Sequence, residues 1–467
     1  MCAMTSPRSL SEVWSEAEVV RKSFPHSFSD QIVTDIYGNV EQITKQVLSK
    51  KESKRYIFDQ RVDDVVTSKW FGYPLMLLLL VIVFWLTMTG ANLPSRLLSS
   101  GLFAFQDQLT LWFQWIGAPA WVHGILVLGV YRTLAWVIAV MLPPMAIFFP
   151  LFTLLEDSGY LPRIAFNLDH IFKRSKACGK QSLTMCMGFG CNAAGVTSCR
   201  IIDSPRERLI AILTNNFVPC NGRFPTLIVI SSIFIGGAFA APYSGLVNAL
   251  AITGLILLGI GATLLVSWLL SLTILKGEPS SLVLELPSYR RPQIGAVIYR
   301  SIIDRTLFVL RRAIIITAPA GALIWVLGNI HMGQESMIAY LAHYLNPFGQ
   351  LFGLDGFIVM AFILGIAANE IVLPILLMSY LSTGYLQDFA SLDALRTVLV
   401  SNGWTWLTAI NVLLFTLFHW PCSTTLLTTY KETGSKKWVL LSFALPTLTG
   451  LTVCFLLTQG ARFLGLV

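Results

Sequence analysis

The sequence predicts an all-α protein that crosses a membrane several times. Of its 467 residues, 55% are hydrophobic and only 12% are charged, and its mean hydropathy is +0.67. Soluble globular chains carry about 25% charged residues. Six uncharged apolar stretches also reach the ~18 residues that indicate a membrane helix: 71–95, 133–155, 246–275, 313–330, 397–430 and 438–460. These observations exclude a soluble enzyme, a disulfide scaffold and a disordered chain.

The distribution of basic residues predicts which loops face the cytoplasm. The net charge is +8, and most lysines and arginines lie in short loops beside the apolar stretches, as in proteins that follow the positive-inside rule. The basic loops are 163–180, 200–208, 276–312 and 431–437, and the weakly charged loops are 92–120, 236–245, 331–356 and 383–395. We expect a multi-pass protein of the cell (inner or plasma) membrane with no nucleic-acid partner. Because the first ten residues contain no signal-peptide core, the N-terminus is expected in the cytoplasm.

The first half of the chain divides into consecutive elements under this topology. Residues 1–70 are polar and predict a cytoplasmic helical segment, followed by a first span at 71–91 and an outer amphipathic region up to 130. A second span at 134–155 returns to the cytoplasm. The stretch 182–198 is too short to cross and has basic loops on both sides, so it is predicted to be re-entrant. Residues 209–235 then cross outward as a span broken at Pro219, Gly222 and Pro225.

The second half repeats this plan with the opposite orientation. A connecting span at 246–275 leads to a span at 313–330, a re-entrant stretch at 357–381, a span at 403–430 broken at Pro421, and a final span at 438–460. The resulting division has one repeat at 131–240, a connecting span and basic loop at 241–300, a second repeat at 301–435 and a C-terminal span at 436–467. We therefore expect about seven spans plus two re-entrant or broken helices.

Short motifs support the duplication. The two re-entrant stretches share the pattern G-x-x-x-N, at 188–192 and 365–369, and the two broken spans share Pro-Cys, at 219–220 and 421–422. Inverted repeats with interrupted helices that meet near the middle of the bilayer are typical of transporter binding sites. Backbone groups freed at such interruptions must be enclosed by protein or line a cavity. We therefore predict that the four interruptions face one another.

The residues at the predicted interruptions have the chemistry of a metal site. They contribute three thiols, two amides and a carboxylate: Cys191, Cys220, Cys422, Asn192, Asn369 and Glu370. Sulfur and oxygen ligands with a single carboxylate suit a borderline divalent transition metal, whereas Mg²⁺ or Ca²⁺ would require more oxygen ligands. The sequence predicts these six residues as the metal ligands.

Each of these residues also has a structural interpretation. A buried cysteine is often only a small hydrophobic residue. Glu370 could handle the ion, since a carboxylate at membrane depth is usually functional, or it could pair with Arg223, the arginine within the third span. His419 could bind the ion, but it is expected to stabilise the break beside Pro421. Pro421 is expected to interrupt the second broken span as Pro219 interrupts the first.

Several motifs together resemble the membrane half of the FeoB ferrous iron transporters. These are LLEDSGY at 154–160, GFGCN at 188–192, RERL at 206–209, Pro-Cys-x-Gly-Arg-Phe-Pro at 219–225, ELP at 285–287 with Tyr289, and Pro-Cys at 421–422 with KETG at 431–434. The stretch 55–64 also resembles the segment that joins that family's soluble region to its first span. The resemblance implies two Gate-type repeats, Fe²⁺ as cargo, a G domain that binds GTP with Mg²⁺, and a small cytoplasmic accessory protein.

The chain departs from the family pattern in two ways. It contains no phosphate-binding loop of the form G-x-x-x-x-G-K-[ST], so either a separate GTPase subunit supplies the G domain or the sequence is a trimmed form. The second repeat also has Ala368 and Asn369 before Glu370, where the family usually has a lysine before the glutamate. We expect a transporter of Fe²⁺ and not an enzyme, lying in the lipid bilayer as a monomer or a homo-oligomer. The alternative is a Gate-repeat transporter of nucleoside-like solutes coupled to H⁺ or Na⁺.

Overall fold

A computed structural model describes residues 14–17, 19, 28–47, 54–68, 70–238, 241–277, 289, 293–333, 335–387 and 391–465. Parts of the predicted N-terminal segment, most of the loop 278–292 and the ELP motif at 285–287 lie outside the described residues. The first helices are α1 (Phe28–Val47), α2 (Lys54–Val66), α3 (Gly72–Ile116), α4 (Ala120–Asp157), α5 (Tyr160–Arg174), α6 (Lys180–Gly190), α7 (Asn192–Ser198), α8 (Pro205–Thr214) and α9 (Phe224–Phe234).

The second half contains further helices and one small hairpin. The helices are α10 (Ala241–Leu272), α11 (Ile294–Asn329), α12 (Met337–Leu351), α13 (Gly356–Leu364), α14 (Asn369–Leu381), α15 (Leu392–Ser401), α16 (Trp406–Phe418), α17 (Ser423–Thr433) and α18 (Lys436–Phe463). Strands β1 (His331–Met332) and β2 (Glu335–Ser336) pair antiparallel, with His331 opposite Ser336.

The apolar helices confirm the all-α polytopic architecture. Within the described residues, six helices are long and apolar enough to cross a membrane, or up to seven if the bent pair α12–α13 counts as one. The helices of this pair meet at 108°. Helices α9, α13, α14 and α16 contribute Leu227, Ile358, Ile375 and Val412 to one buried hydrophobic core. This core lies between the two halves of the chain and positions the interruptions described below.

The structure corrects several predicted boundaries. The first span was predicted at 71–91 with a loop to residue 120, but α3 continues for 45 residues to Ile116 and includes Pro94. At 1.5 Å per residue this helix is about 68 Å long, about twice the hydrocarbon thickness. Helix α4 begins at Ala120, whereas its span was predicted to start at 134. Low charge indicated loops here, but both segments are mainly apolar and continue as helix, because a backbone in lipid must form its hydrogen bonds within the chain.

One further segment differs from its prediction, and a second contains its predicted break. The loop predicted at 331–356 contains the hairpin and helix α12. The stretch 357–381 is not one helix, because the chain is interrupted between Leu364 and Asn369. This interruption lies where the second G-x-x-x-N motif predicted a break.

Contacts between loops agree with the predicted segregation. Lys180 Nζ lies 2.5 Å from Asp203 Oδ2, and Arg206 donates to the carbonyl of Leu275 at 2.6 Å. These contacts join the basic loops 163–180 and 200–208 to each other and to the end of the span 246–275, on the side that we call the basic face. On the weakly charged side, Asn329 donates to the Gly384 carbonyl at 2.7 Å.

Candidate metal site

All six residues predicted as metal ligands line one cavity. It has a volume of about 30 Å³, and its lining contains the three predicted thiols, the two predicted amides and the carboxylate, namely Cys191, Cys220, Cys422, Asn192, Asn369 and Glu370. The amide of Asn221 lines the same cavity. A single water molecule needs ~10–15 Å³ of such volume, so the cavity accommodates about two or three particles of that size. The fold therefore brings together side chains that lie up to 231 positions apart, between residues 191 and 422.

The two re-entrant helices are interrupted in the same way. Cys191, between α6 and α7, has φ −157° and ψ 123°. Ala368, at the equivalent G-x-x-x-N position before α14, has φ −153° and ψ 126°. Each extended residue is followed by an asparagine that begins a new helical segment. The matched geometry explains why both re-entrant helices present a side chain and freed backbone groups to the cavity.

The two broken spans are interrupted at Pro-Cys. In the first, the turn Asn215–Phe217 ends before Pro219, and α9 begins at Phe224. In the second, α16 ends at Phe418 and α17 begins directly after Cys422. Proline has no backbone N–H and cannot continue the helical hydrogen-bond pattern. Each proline therefore ends its helix just before the cysteine that borders the cavity.

Arg223 connects the two broken spans. Its side chain is fully buried. Its guanidinium donates to the carbonyls of Asn216, Leu417, His419 and Trp420 at 2.9, 2.8, 3.0 and 3.3 Å. These are carbonyls freed where the helices end, and a buried arginine satisfies several of them at once. Within the described residues Arg223 forms no salt bridge with Glu370, so the pairing left open by the sequence is not formed.

Asparagine side chains hold the first re-entrant break against the second broken span. Asn192 donates to Asn216 Oδ1 at 2.9 Å, and Asn216 donates to the His419 carbonyl at 3.0 Å. Asn215 in turn donates to the Asn192 carbonyl at 3.1 Å. The Oδ1 atom of Asn192 is buried and has no hydrogen-bond partner among the residues that the structure describes. A buried unsatisfied oxygen on the wall of a cavity is available to a cation.

His419 has contacts at both ring nitrogens. It is 1% exposed, its Nδ1 lies 2.9 Å from the Thr416 carbonyl, and its Nε2 lies 3.3 Å from Asn369 Oδ1. The other amide atom of Asn369 lies 3.9 Å from Cys220 Sγ. His419 therefore holds Asn369 next to the Cys220 thiol. This geometry favours the structural interpretation of His419.

Glu370 occupies space that Gly222 leaves open. It is 8% exposed, and a Cβ added at Gly222 would lie 2.5 Å from Glu370 Oε1. The carboxylate of the second repeat thus reaches the Pro-Cys break of the first. Gly222 was identified from sequence only as a helix breaker, and its second role as the contact surface for Glu370 required the structure.

The thiols and the carboxylate do not form a closed coordination shell. Within the described residues, no group of three or more His, Cys, Asp and Glu side chains is placed to hold a metal ion. The cavity instead combines single donors from several helices, with Thr424 adding a hydroxyl at its edge. Such a wall can contact a small cation through sulfur and oxygen without enclosing it completely.

A second polar cluster lies outside the membrane helices and was not predicted as a site. Arg163 of α5, 1% exposed, binds both carboxylate oxygens of Asp63 at 2.9 and 3.1 Å. Tyr289 donates to Asp63 Oδ1 at 2.9 Å, and the guanidinium lies 4.1 Å from its ring centroid. Burial, together with the hydrogen bond to Asp63, raises the pKa of Tyr289 to about 12, so its hydroxyl stays protonated at neutral pH. This Asp63–Arg163–Tyr289 cluster joins α2 to the first repeat.

Family models match most of the region that forms these sites. The Gate model, described as nucleoside recognition, matches residues 138–234 and again 310–436. The model for the C terminus of ferrous iron transport protein B matches residues 252–304. The two Gate matches contain both re-entrant breaks and both Pro-Cys breaks. The chain therefore contains two Gate repeats, while the predicted domain boundaries and the inversion of the repeats stay predictions.

Curated relatives cover nearly the whole chain. It is 28% identical over 433 residues to the Fe(2+) transporter FeoB of Staphylococcus aureus, covering 90% of this chain and 62% of the relative. It is 29% identical over 451 residues to the Fe(2+) transporter FeoB of Methanocaldococcus jannaschii, covering 92% of this chain and 64% of the relative. The chain thus spans less than two thirds of these relatives, and no solved structure matches it.

A third relative carries an additional name. It is the Fe(2+) transport protein A/Fe(2+) transporter FeoB fusion protein of Porphyromonas gingivalis, 26% identical over 483 residues, covering 92% of this chain and 55% of the relative. Relatives with these names align with nearly all of the chain, and both family models match the regions that the motifs identified. These matches over about 90% of the chain support the FeoB family.

Proposed function

We propose that this chain is the membrane permease of a ferrous iron uptake system and that Fe²⁺ passes through the cavity at the four helix interruptions. The observation that carries the proposal is the composition of the cavity wall. Three thiols, three amides, one carboxylate and the Thr424 hydroxyl border a space of about 30 Å³. Thiol and oxygen donors together suit a borderline divalent cation better than a hard one.

The proposed ligands have separate roles. Cys191, Cys220 and Cys422 replace part of the water shell of Fe²⁺ with sulfur, and the unpaired Oδ1 of Asn192 offers one oxygen. Glu370 supplies negative charge, which offsets the cost of placing a dication at membrane depth. The incomplete shell suits transport, because an ion must bind well enough to enter and weakly enough to leave.

The size of the cavity separates this proposal from nucleoside transport. The Gate model's description as nucleoside recognition favours a nucleoside-like solute coupled to H⁺ or Na⁺. Sites for such organic molecules usually have volumes of ~300–1,000 Å³, which is about ten to thirty times the volume of the cavity. Thiols at both Pro-Cys breaks also serve a metal better than a nucleoside.

We further propose that GTP controls the permease through a G domain outside these 467 residues, either on a separate GTPase subunit or on a longer form of the chain. The Asp63–Arg163–Tyr289 cluster supports this proposal, because α2 is joined there to α5, which directly precedes the re-entrant helix α6. A partner that binds α2 could shift the permease between two states only by its different affinity for them. The name of the Porphyromonas gingivalis relative suggests a small accessory protein as a further partner.

An uptake assay tests the proposed cargo. The full chain, expressed in a host deficient in ferrous iron uptake, should restore accumulation of radiolabelled Fe²⁺ supplied with ascorbate. It should not increase accumulation of radiolabelled uridine. The host strain must also express a GTPase of the FeoB type, so that a missing partner is not mistaken for inactivity of the chain. Iron uptake by this strain is measured with and without the chain. Uridine uptake without iron uptake would contradict the proposal and favour the alternative.

A variant in the cytoplasmic cluster tests the proposed coupling. Asp63→Asn keeps the shape of the side chain but removes the charge that Arg163 binds, leaving a buried arginine without its ion pair. We expect GTP-dependent stimulation of iron uptake to fall while membrane abundance is unchanged. Asp64→Asn, one residue along α2, is the matched control. Equal stimulation of both variants and the parent chain would contradict the proposed coupling.

A further inference from the structure

Two helices from different repeats start at the cavity and end on the basic face. Helix α7 begins directly after Cys191, and helix α17 begins directly after Cys422. The two helices pack against each other along their lengths. They therefore form a continuous seam from the site to the face that carries the basic loops.

A bidentate ion pair closes the far end of this seam. Arg200, two residues after α7, donates from Nε and from a terminal nitrogen to the two carboxylate oxygens of Glu432 in the last turn of α17, at 2.7 and 2.8 Å. Arg200 is 68% exposed, whereas Glu432 is only 10% exposed. The contact is the planar two-point pairing that gives arginine–carboxylate bonds their defined geometry. It joins the two repeats on the basic face.

The face of α17 between the cavity and the ion pair is polar although it is buried. Thr424, Thr425, Thr428 and Thr429 are each no more than 5% exposed. Thr424 borders the cavity, and Thr429 Oγ1 is buried with no hydrogen-bond partner. Residues spaced by four lie on one side of a helix, so Thr424 and Thr428 follow one another along the seam. Arg312 of α11 donates to Thr428 Oγ1 at 3.0 Å.

We propose that the buried threonines of α17 (Thr424, Thr425, Thr428 and Thr429) line the part of the ion path between the cavity and the basic face. We further propose that the Arg200–Glu432 pair is the gate of this path. This inference rests on the proposed function, because it assumes that a cation leaves the cavity. Threonine hydroxyls provide oxygen contacts for a cation that has left the thiols. Arg200 and Arg312 place positive charge beside this part of the path, so a dication passes only after these side chains move. Breaking the ion pair lets α7 and α17 separate.

Chemical accessibility of Cys422 tests the gate without measuring transport. Inside-out vesicles that contain the full chain are treated with a membrane-impermeant maleimide, and modification of the peptide carrying Cys422 is followed by mass spectrometry. In the parent chain we expect slow modification. Arg200→Gln and Glu432→Gln should each increase its rate at least about fivefold, because each removes the two-point bond that joins the ends of α7 and α17. The double charge reversal Arg200→Glu with Glu432→Arg should restore slow modification.

A neighbouring ion pair provides the matched control. Lys180→Gln removes the pair with Asp203 on the same face, and neither residue of this pair belongs to α7 or α17. It should leave the modification rate unchanged. Unchanged rates in Arg200→Gln and Glu432→Gln, or failure of the charge reversal to restore protection, would overturn the gate. Because the assay contains no iron, a failure of the gate is distinct from a failure of iron uptake in the host.

Discussion

The two re-entrant breaks have the same backbone and different chemistry. Cys191 and Ala368 differ by only a few degrees in φ and ψ, and an asparagine comes after each. The first repeat supplies a thiol at this position and Ala193 after the asparagine, whereas the second supplies no thiol but has Glu370. The scaffold is thus duplicated, and the sulfur and the charge are divided between the copies. The site is complete only when both repeats pack together.

The two Pro-Cys breaks, in contrast, both keep the cysteine, and their sequences differ at the third residue after it. Arg223 lies three residues after Cys220 and binds carbonyls of both spans. Thr425 lies three residues after Cys422, and its hydroxyl is 3.3 Å from the thiol of Cys422. The first repeat therefore provides the connection between the spans, and the second provides a thiol supported by a local hydroxyl. Substitutions in either repeat can test this division.

Removing the charge of Glu370, in the second repeat, should have the largest effect on iron uptake. Two unit charges about 4 Å apart interact by about 4 kcal/mol at an effective dielectric constant of 20. Since ~1.4 kcal/mol corresponds to a factor of ten, Glu370→Gln should lower iron uptake more than tenfold at unchanged membrane abundance. Glu335→Gln changes a carboxylate that is 54% exposed and serves as the control. Normal uptake by Glu370→Gln would show that the charge is not required.

Replacing a thiol at the cavity, in either repeat, should have the second-largest effect on iron uptake. A Cys→Ser substitution changes volume little but replaces a soft ligand by a hard one. Cys191→Ser, Cys220→Ser and Cys422→Ser should each lower iron uptake by about tenfold, because the site loses one sulfur ligand. Cys186→Ser, Cys199→Ser and Cys454→Ser lie away from the cavity and should transport normally. If all three cavity variants transported normally, Asn192, Asn369 and backbone carbonyls would become the better candidates.

Filling the space beside Glu370 tests whether the two repeats must meet closely. Gly222→Ala places a methyl group 2.5 Å from Glu370 Oε1, so the carboxylate must move. Because local overpacking displaces side chains, we expect iron uptake to fall by about fivefold. Gly261→Ala, in α10, meets no atom within 4 Å and is the control. Equal uptake by both variants would mean that the contact between Gly222 and Glu370 has no role in transport.

Moving the thiol between the repeats should give the smallest effect and the sharpest test of their equivalence. Ala368 borders the same cavity as Cys191. In the Cys191→Ala background, adding Ala368→Cys should raise iron uptake about twofold, because it returns a soft ligand to a matched backbone position. Adding Ala367→Cys instead provides the comparison. Equal recovery from both positions, or recovery from neither, would contradict the equivalence of the two breaks.

Local sequence was sufficient to predict the membrane character, the breaks and the six residues around the cavity. Apolar stretches require helices in lipid because backbone groups must bond within the chain, and Pro219 and Pro421 interrupt helices wherever they occur. Loop lengths were less predictable. Low charge does not distinguish an outer loop from a continuing helix, and α3 therefore extends to Ile116 beyond the predicted span.

The amino-acid sequence was sufficient to identify which residues carry donor groups suited to a cation, because thiols, amides and a carboxylate at helix breaks are properties of single positions. Which of these groups satisfy one another depends on how the helices pack. Arg223 binds the carbonyl of Leu417, 194 positions away, and not the nearby acidic candidate Glu370. Asp63 likewise binds Arg163, 100 positions away. Such partners depend on which freed carbonyls and buried charges come within hydrogen-bond distance when the helices pack, and no local pattern in the sequence encodes that distance.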